Sequence, residues 1–127
     1  MSSFSDYTEN AVLNHVFRNT ALTSPAAVYL ALYTVTPTDA GGGTQVTGGG
    51  YARQAITFGA PSGGSISNTS AVSFTASGAS FGDIVAVGIF DASTGGNLLA
   101  WDGITTATVG DGDTINFAIG NITVTLT

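Results

Sequence analysis

Short alternating segments separated by glycine-rich turns fill the chain from Ala27 onward, and this punctuation constrains the fold more than any motif does. Turn signals stand at Pro61-Ser-Gly-Gly64, Ser77-Gly78, Ser93-Thr-Gly-Gly-Asn97, Asp102-Gly103 and Gly110-Asp-Gly-Asp113. Between them lie Ser65 to Thr75, Ile84 to Asp91, Leu98 to Trp101, Ile104 to Val109 and Thr114 to Leu126, the last interrupted by Gly120-Asn121. Upstream, Val28, Leu30 and Leu32 alternate with Ala27, Tyr29, Ala31 and Tyr33, and Ile56 and Phe58 follow with period two. About eight short strands at such spacing predict an all-β, antiparallel β-sandwich of jelly-roll type with a single N-terminal α-helix.

The helix is expected over 7–19. Asp6 followed by Glu9 is a capping-box pattern, and Val12, Leu13, Val16 and Phe17 then share one helical face. That face either covers an open end of the sheet or binds a partner. Residues 1–6 read as a flexible arm. His15, the only histidine, has no second ligand or carboxylate near it in sequence and reads as structural.

Two hairpins are proposed. Ile84 to Phe90 and Leu98 to Trp101 flank a Gly-Gly-Asn turn; Asn116 to Ile119 and Ile122 to Thr125 flank Gly120-Asn121, where the alternative is one long strand with a bulge at Gly120. The glycine-rich segment 37–50 is expected to be a loop, and Tyr51-Ala52-Arg53 follows it at the point of re-entry into a strand. Arg53 is one of only two basic residues. It is expected to anchor that loop through a carboxylate or loop carbonyls. Tyr51, Arg53, Tyr33 and Trp101 are therefore the candidate anchor and interface residues, the aromatic ones being the side chains able to pack on a partner or stack on a sugar.

At 127 residues the chain has the size of a single domain, 1–127, able to bury about two-thirds of its unfolded surface. Only 8% of the residues are charged and none is lysine, against about 25% charged in ordinary soluble domains. A neutral, Ser/Thr/Gly/Ala-coated exterior suggests that much of it meets protein. A net charge of −6 with only Arg18 and Arg53 on the basic side argues against nucleic acid, which draws affinity from clustered Lys and Arg, and against anionic membrane. No cysteine is present, so there are no disulfides and no thiolate chemistry. Neither an apolar leader after a basic flank nor a run of about 18 apolar residues occurs.

The sequence holds none of the usual catalytic constellations. Asp111 and Asp113 lack the further oxygen ligands of a calcium loop and read as a turn. There is no Gly-x-Ser-x-Gly elbow. The glycines at 41–43 and 48–50 precede a strand with no lysine, so they do not form a phosphate loop. The expectation is no enzyme, no metal and no cofactor. Asn68-Thr-Ser70 and Asn121-Ile-Thr123 match a glycosylation pattern by chance.

The order LALYTVTPTDAGGGTQVTGGGYARQAITF, an Asn-containing strand from Ile66 to Phe74, FGDIVAVGIFDASTGGNLLAWDGI and a Gly-Asp turn into a closing strand resembles a family of small tailed-bacteriophage virion structural proteins, often labelled tail fibre. Its most specific pieces are Gly49-Gly-Tyr-Ala-Arg53, Gly88-Ile-Phe-Asp-Ala92 and Gly95-Gly-Asn-Leu-Leu99; relatives tend to carry Trp-Gly where this chain has Phe81-Gly82. The resemblance covers about 10–126. It implies a virion protein made in the host cytoplasm. With no heptads or shaft repeats for a fibre shaft, two roles follow: a capsid cement or decoration protein on the outside of the shell, contacting the major capsid protein and self-associating, most simply as a trimer; or a small tail or fibre component with a receptor- or glycan-binding role. The first is the expected one, with 37–50 and 1–10 as its grips.

Overall fold

The structure, a computed structural model, describes residues 3–126. Strand β1 (Ser3–Phe4) leads directly into α1 (Asp6–Phe17). The helix begins at Asp6 because Ser5, in extended conformation, accepts a hydrogen bond from the Thr8 amide at 3.2 Å, satisfying one of the free donors of the first turn. The cap is thus Ser5, one residue before the Asp6 expected. Asp6 and Glu9 lie in the first turn, where negative charge suits the helix dipole. Arg18 closes the helix by donating its amide to Asn14 O at 3.0 Å, and Asn19 turns left-handed at φ 53°, so the helix stops two residues short of the expected end.

Of the arm expected at 1–6, residues 1 and 2 lie outside the described residues, and the rest is tied down. Ser3 and Phe4 pair with Trp101 and Ala100, and the buried Ser5 hydroxyl donates to Leu98 O.

The chain is 44% strand, with every ladder antiparallel. Its centre is β2 (Val28–Val35), flanked on one side by β7 (Gly82–Phe90), then β8 (Leu98–Val109), then β1. The other edge of β2 is shared by β4 (Gln54–Ile56), opposite Val28 to Leu30, and β3 (Thr44–Gln45), opposite Tyr33 and Val35. Two short ladders complete the fold: β5 (Ser65–Ser67) with β10 (Thr123–Thr125), and β6 (Val72–Thr75) with β9 (Thr114–Phe117). The all-β, antiparallel reading with one N-terminal helix therefore describes the molecule. Its strand order, one sheet of six and two of two, does not trace the two four-stranded sheets of a jelly roll, nor does it close a barrel.

One face of the large sheet and the inner faces of the two ladders share a core. Leu30, Leu32, Ile84, Val87 and Ile89 from the sheet meet Val72 and Phe74 of β6, with Ile122 and the half-buried Phe117 and Val124. Burying side chains of this kind contributes roughly 1.5–3 kcal/mol each. A register shift between Ile84 and Ala86 keeps β7 in phase: Ile84 and, beyond the irregularity, Val87 and Ile89 all reach this core, while Val85 and Ala86 both join the opposite face.

Three expectations are corrected. Ser65 to Thr75 is two strands, and Asp102-Gly103 is no turn: both residues stay within β8, opposite Val87 and Ala86, because β7 is long enough to pair on either side of them. The third concerns Asn116–Ile119 and Ile122–Thr125, which pair with β6 and β5 and not with each other. The cause is Asn68. Its buried amide donates to Ser70 O (2.9 Å) and Ala118 O (3.1 Å), its Oδ1 accepts from the Ile122 amide (2.9 Å), and its backbone carbonyl accepts from Gly120 N (3.1 Å). The 118–122 corner wraps around this side chain and sends β9 and β10 to different partners. Asn68 is 2% exposed, so its glycosylation pattern is sealed inside the fold.

Candidate functional site

The second face of the large sheet carries three of the four residues singled out in the sequence, Tyr33, Trp101 and Arg53, or holds them at its edge. Alternation along β2 puts Ala31 and Tyr33 there, and β7 and β8 add Ala86, Phe90 and Leu98, with Val85 and Trp101 half-buried beside them. Gly88 makes room for this packing: a Cβ on it would lie 2.9 Å from both the Tyr33 ring and Leu98 Cδ1.

Arg53 stacks across this face. Its guanidinium carbon lies 3.6 Å from the Phe90 ring centroid, Nη1 donates to Ala92 O (2.9 Å) and Gly95 O (2.7 Å), and Nε donates to Gln45 Oε1 (3.2 Å). The expected anchoring of the glycine-rich segment runs through Gln45. The greater part of the grip, however, is on the 91–97 turn between β7 and β8. Gln45 and Phe90 carry no signal in the sequence that would single them out, since a lone Gln in a glycine-rich stretch and a Phe at a strand end look ordinary.

The segment 37–50 is accordingly not one open loop. Thr38 and Gly41 exchange backbone bonds at 2.8 and 2.9 Å, β3 pairs with β2, and Tyr51 N closes a turn on Gly48 O at 3.0 Å. Gly49 must be glycine: its φ is 60°, and a Cβ would meet Ala79 O at 2.7 Å and the Phe81 ring at 2.9 Å.

Tyr51 belongs to the other side of the sheet. Its ring packs at 6.1 Å on Phe74 and edge-on at 6.0 Å against Phe81, while its hydroxyl accepts from Leu32 N (3.1 Å) and donates to Gln45 Oε1 (3.2 Å). Gln45 thus receives both Tyr51 and Arg53 and couples the two faces. Tyr33 is 2% exposed, and burial pushes its phenol up to about 12; Tyr51 is raised for the same reason, offset in part by the Leu32 amide and by Arg53. The buried Tyr33 ring offers no platform for a sugar.

Trp101 is half-buried, and its Nε1 donates to Asp39 Oδ1 at 2.8 Å. The Asp39 carbonyl accepts from the Asp6 amide at 2.8 Å, so Asp39 latches the glycine-rich segment to β8 and to the start of α1. Asp6, Glu9 and Asp39, all exposed, bring carboxylates within 4.8 Å of one another. Beside them a cleft of about 400 Å³ is bounded by Ser5, Tyr7, Gly41, Gln45 and Asn97, with Tyr33 and Phe90 at its floor.

The remaining polar groups have structural employment. Asp91 feels partial burial that would raise its carboxyl, but bonds from the Asn97 side chain (2.9 Å) and backbone (2.7 Å) outweigh it and hold the group below its usual range. Asp111 accepts from Gly78 N and Asp113 from Gly110 N, both at 2.9 Å, fixing the turns in which they lie. His15 Nδ1 accepts from Leu22 N at 3.3 Å.

No helix among the described residues is long and apolar enough to cross a membrane. No curated protein matches the chain. A family model described as Podophage GP4 fiber I protein gp80 matches residues 3–125, a span that takes in the Arg53 clasp, both short ladders and the helix. The chain therefore belongs to that family, one of structural and fibre proteins of the tailed-phage virion.

Proposed function

We propose that this protein is a non-catalytic subunit of the phage virion that serves as a small fibre component, seated through its surface on a larger tail or fibre protein. The observation that carries the reading is the family match across 3–125, to a family whose description names a fibre protein. The way the site is built supports the non-catalytic part. Its Arg, Gln, Tyr and Asp side chains bond to backbone and to one another as fasteners. A rigid, clasped β domain suits a part that transmits load.

Capsid cement is the second reading, favoured by a chain in which only 8% of all residues are charged, which lowers the desolvation cost of broad contact with the major capsid protein. In that role a grip made of residues 1–10 is disfavoured, because Ser5 is buried and Phe4 is paired in the sheet. Copy number per virion separates the two roles. A few copies, with electron-microscopic density at the tail or fibre base, are expected; hundreds of copies spread over the shell would overturn the fibre assignment in favour of cement.

A further inference from the structure

Arg53 is half-buried, yet every acceptor it reaches is a neutral oxygen: the carbonyls of Ala92 and Gly95 and the amide of Gln45. In a chain with eight acidic residues its charge meets no carboxylate at bonding distance. Asp91 feels that charge, but its oxygens are taken by the Asn97 backbone and side chain. A partly desolvated cation without a counter-ion is an unfavourable arrangement. One guanidinium nitrogen, Nη2, also makes no bond among the described residues. The Phe90 ring and the bonds of Nε and Nη1 fix the guanidinium plane, so the direction of the Nη2 hydrogens is set in advance.

Arg53 borders an open cleft of about 380 Å³ together with Gln45, Tyr51, Ser93 and Thr94, and none of the eight acids lines it. Gln45 gives its Oε1 to Tyr51 and Arg53, which leaves its NH2 group with no bond in the protein. The hydroxyls of Ser93 and Thr94 are equally unspent, and both residues are exposed. No side-chain polar atom among the described residues is buried without a partner, so the free hydrogens of Arg53 and Gln45 reach solvent. We infer that this cleft binds a carboxylate, supplied by an acidic side chain of the protein on which the subunit sits. A carboxylate only accepts, while Arg53 and Gln45 offer only N–H donors here and the two hydroxyls can donate as well. It would also supply the counter-ion that Arg53 lacks, through charge-assisted bonds about twice as strong as neutral ones. A cationic group is repelled by Arg53 and finds no carboxylate in the walls. Naming the source as a protein rests on the reading of the chain as a virion subunit; the carboxylate site does not. A binding measurement on the isolated chain is blind to copy number, so either can fail without the other.

Titration of the isotope-labelled full chain with the peptide acetyl-Gly-Glu-Gly-amide, followed by nuclear magnetic resonance, tests this. The Arg53 Nε–H and Gln45 NH2 resonances should shift and saturate, with a Kd on the order of 1 mM. The matching glutamine peptide should bind roughly tenfold more weakly, because it lacks the charge. Arg53→Ala should abolish the response. Since that change also loosens the fold, Ser93→Ala combined with Thr94→Ala, at exposed positions, supplies the second variant: binding should weaken severalfold while the melting temperature stays as in the wild type. Absence of saturation with the glutamate peptide, equal shifts from the glutamine peptide, or undiminished binding in either variant would overturn the inference. Inorganic phosphate producing the same shifts at the same concentration would overturn it too, by revealing an indiscriminate anion patch. Sodium glucuronate should bind no more tightly than the peptide; clearly tighter binding would make the occupant an acidic sugar and overturn the protein partner.

Discussion

The guanidinium of Arg53 lies flat over the ring of Phe90, 3.6 Å from its centroid, and from there reaches the carbonyls of Ala92 and Gly95 and the amide oxygen of Gln45. One cation thus joins the end of β4, the turn after β7 and the strand within the glycine-rich segment. Partial burial strengthens the bonds to Ala92 and Gln45, and the planar fork of arginine makes all three simultaneously.

Arg53→Ala is expected to destabilise the fold by about 1–3 kcal/mol, since a charged donor with three acceptors is lost together with its stacking on Phe90. Arg53→Lys should recover only part of this, because an ammonium keeps the charge but not the fork. Denaturant melts give the energies. Hydrogen exchange should show faster opening in the 91–97 turn than anywhere in β5 or β10; unchanged protection in that turn would refute the clasp.

High pH should unfold the protein early. Burial raises Tyr33 to about 12 from an ordinary value of 10, so the unfolded chain loses that proton before the folded one does. Stability is intact below pH 10 and falls as pH climbs toward 12, by an amount on the order of 2 kcal/mol. Tyr51, also raised, adds in the same direction. Urea midpoints between pH 8 and 12 should show the fall, and Tyr33→Phe should flatten it.

Asn68→Ala should be among the most damaging single changes, costing roughly 2–4 kcal/mol, because it leaves Ser70 O, Ala118 O and the Ile122 amide without their partner in a buried corner. Asn68→Asp is expected to be no better, since a carboxylate would face the two carbonyls that the amide now satisfies. Thermal melts decide this; a loss below about 0.5 kcal/mol for Asn68→Ala would mean the corner holds without it.

Gly48 and Gly49 should respond differently to alanine although both have positive φ. At Gly48 a Cβ meets open space, leaving only the strain of the left-handed backbone, about 1 kcal/mol. At Gly49 the same strain is joined by contacts of 2.7 Å to a backbone carbonyl and 2.9 Å to the Phe81 ring, so Gly49→Ala should cost at least twice as much. Equal melting temperatures for the two variants would contradict the close approach.

Much of this was written in local sequence. Period-two alternation in 28–33 marked the central strand and both of its buried faces, the Gly-Gly-Asn turn marked the β7–β8 hairpin, and the acidic residues before an apolar stripe marked the helix to within one or two residues at either end. Arg53 was legible as an anchor because a nearly charge-free chain gives a lone cation few ways to be satisfied. These are signals carried by neighbours in sequence, and local backbone preference suffices to produce them. What only the tertiary structure decided was partnership. Gly120-Asn121 looks like a hairpin turn by composition, yet Asn68, some fifty positions away, takes the hydrogen bonds of that corner and splits the strands between two ladders. Gln45, Phe90 and Asp39 became fasteners because long-range strand pairing set them beside Arg53, Tyr51 and Trp101. The helix stripe shows the same division: its 3.6-residue period was plain in the sequence, but which way it faced was fixed by the Ser5 and Thr8 bonds to β8, which turn Leu13, Val16 and Phe17 outward.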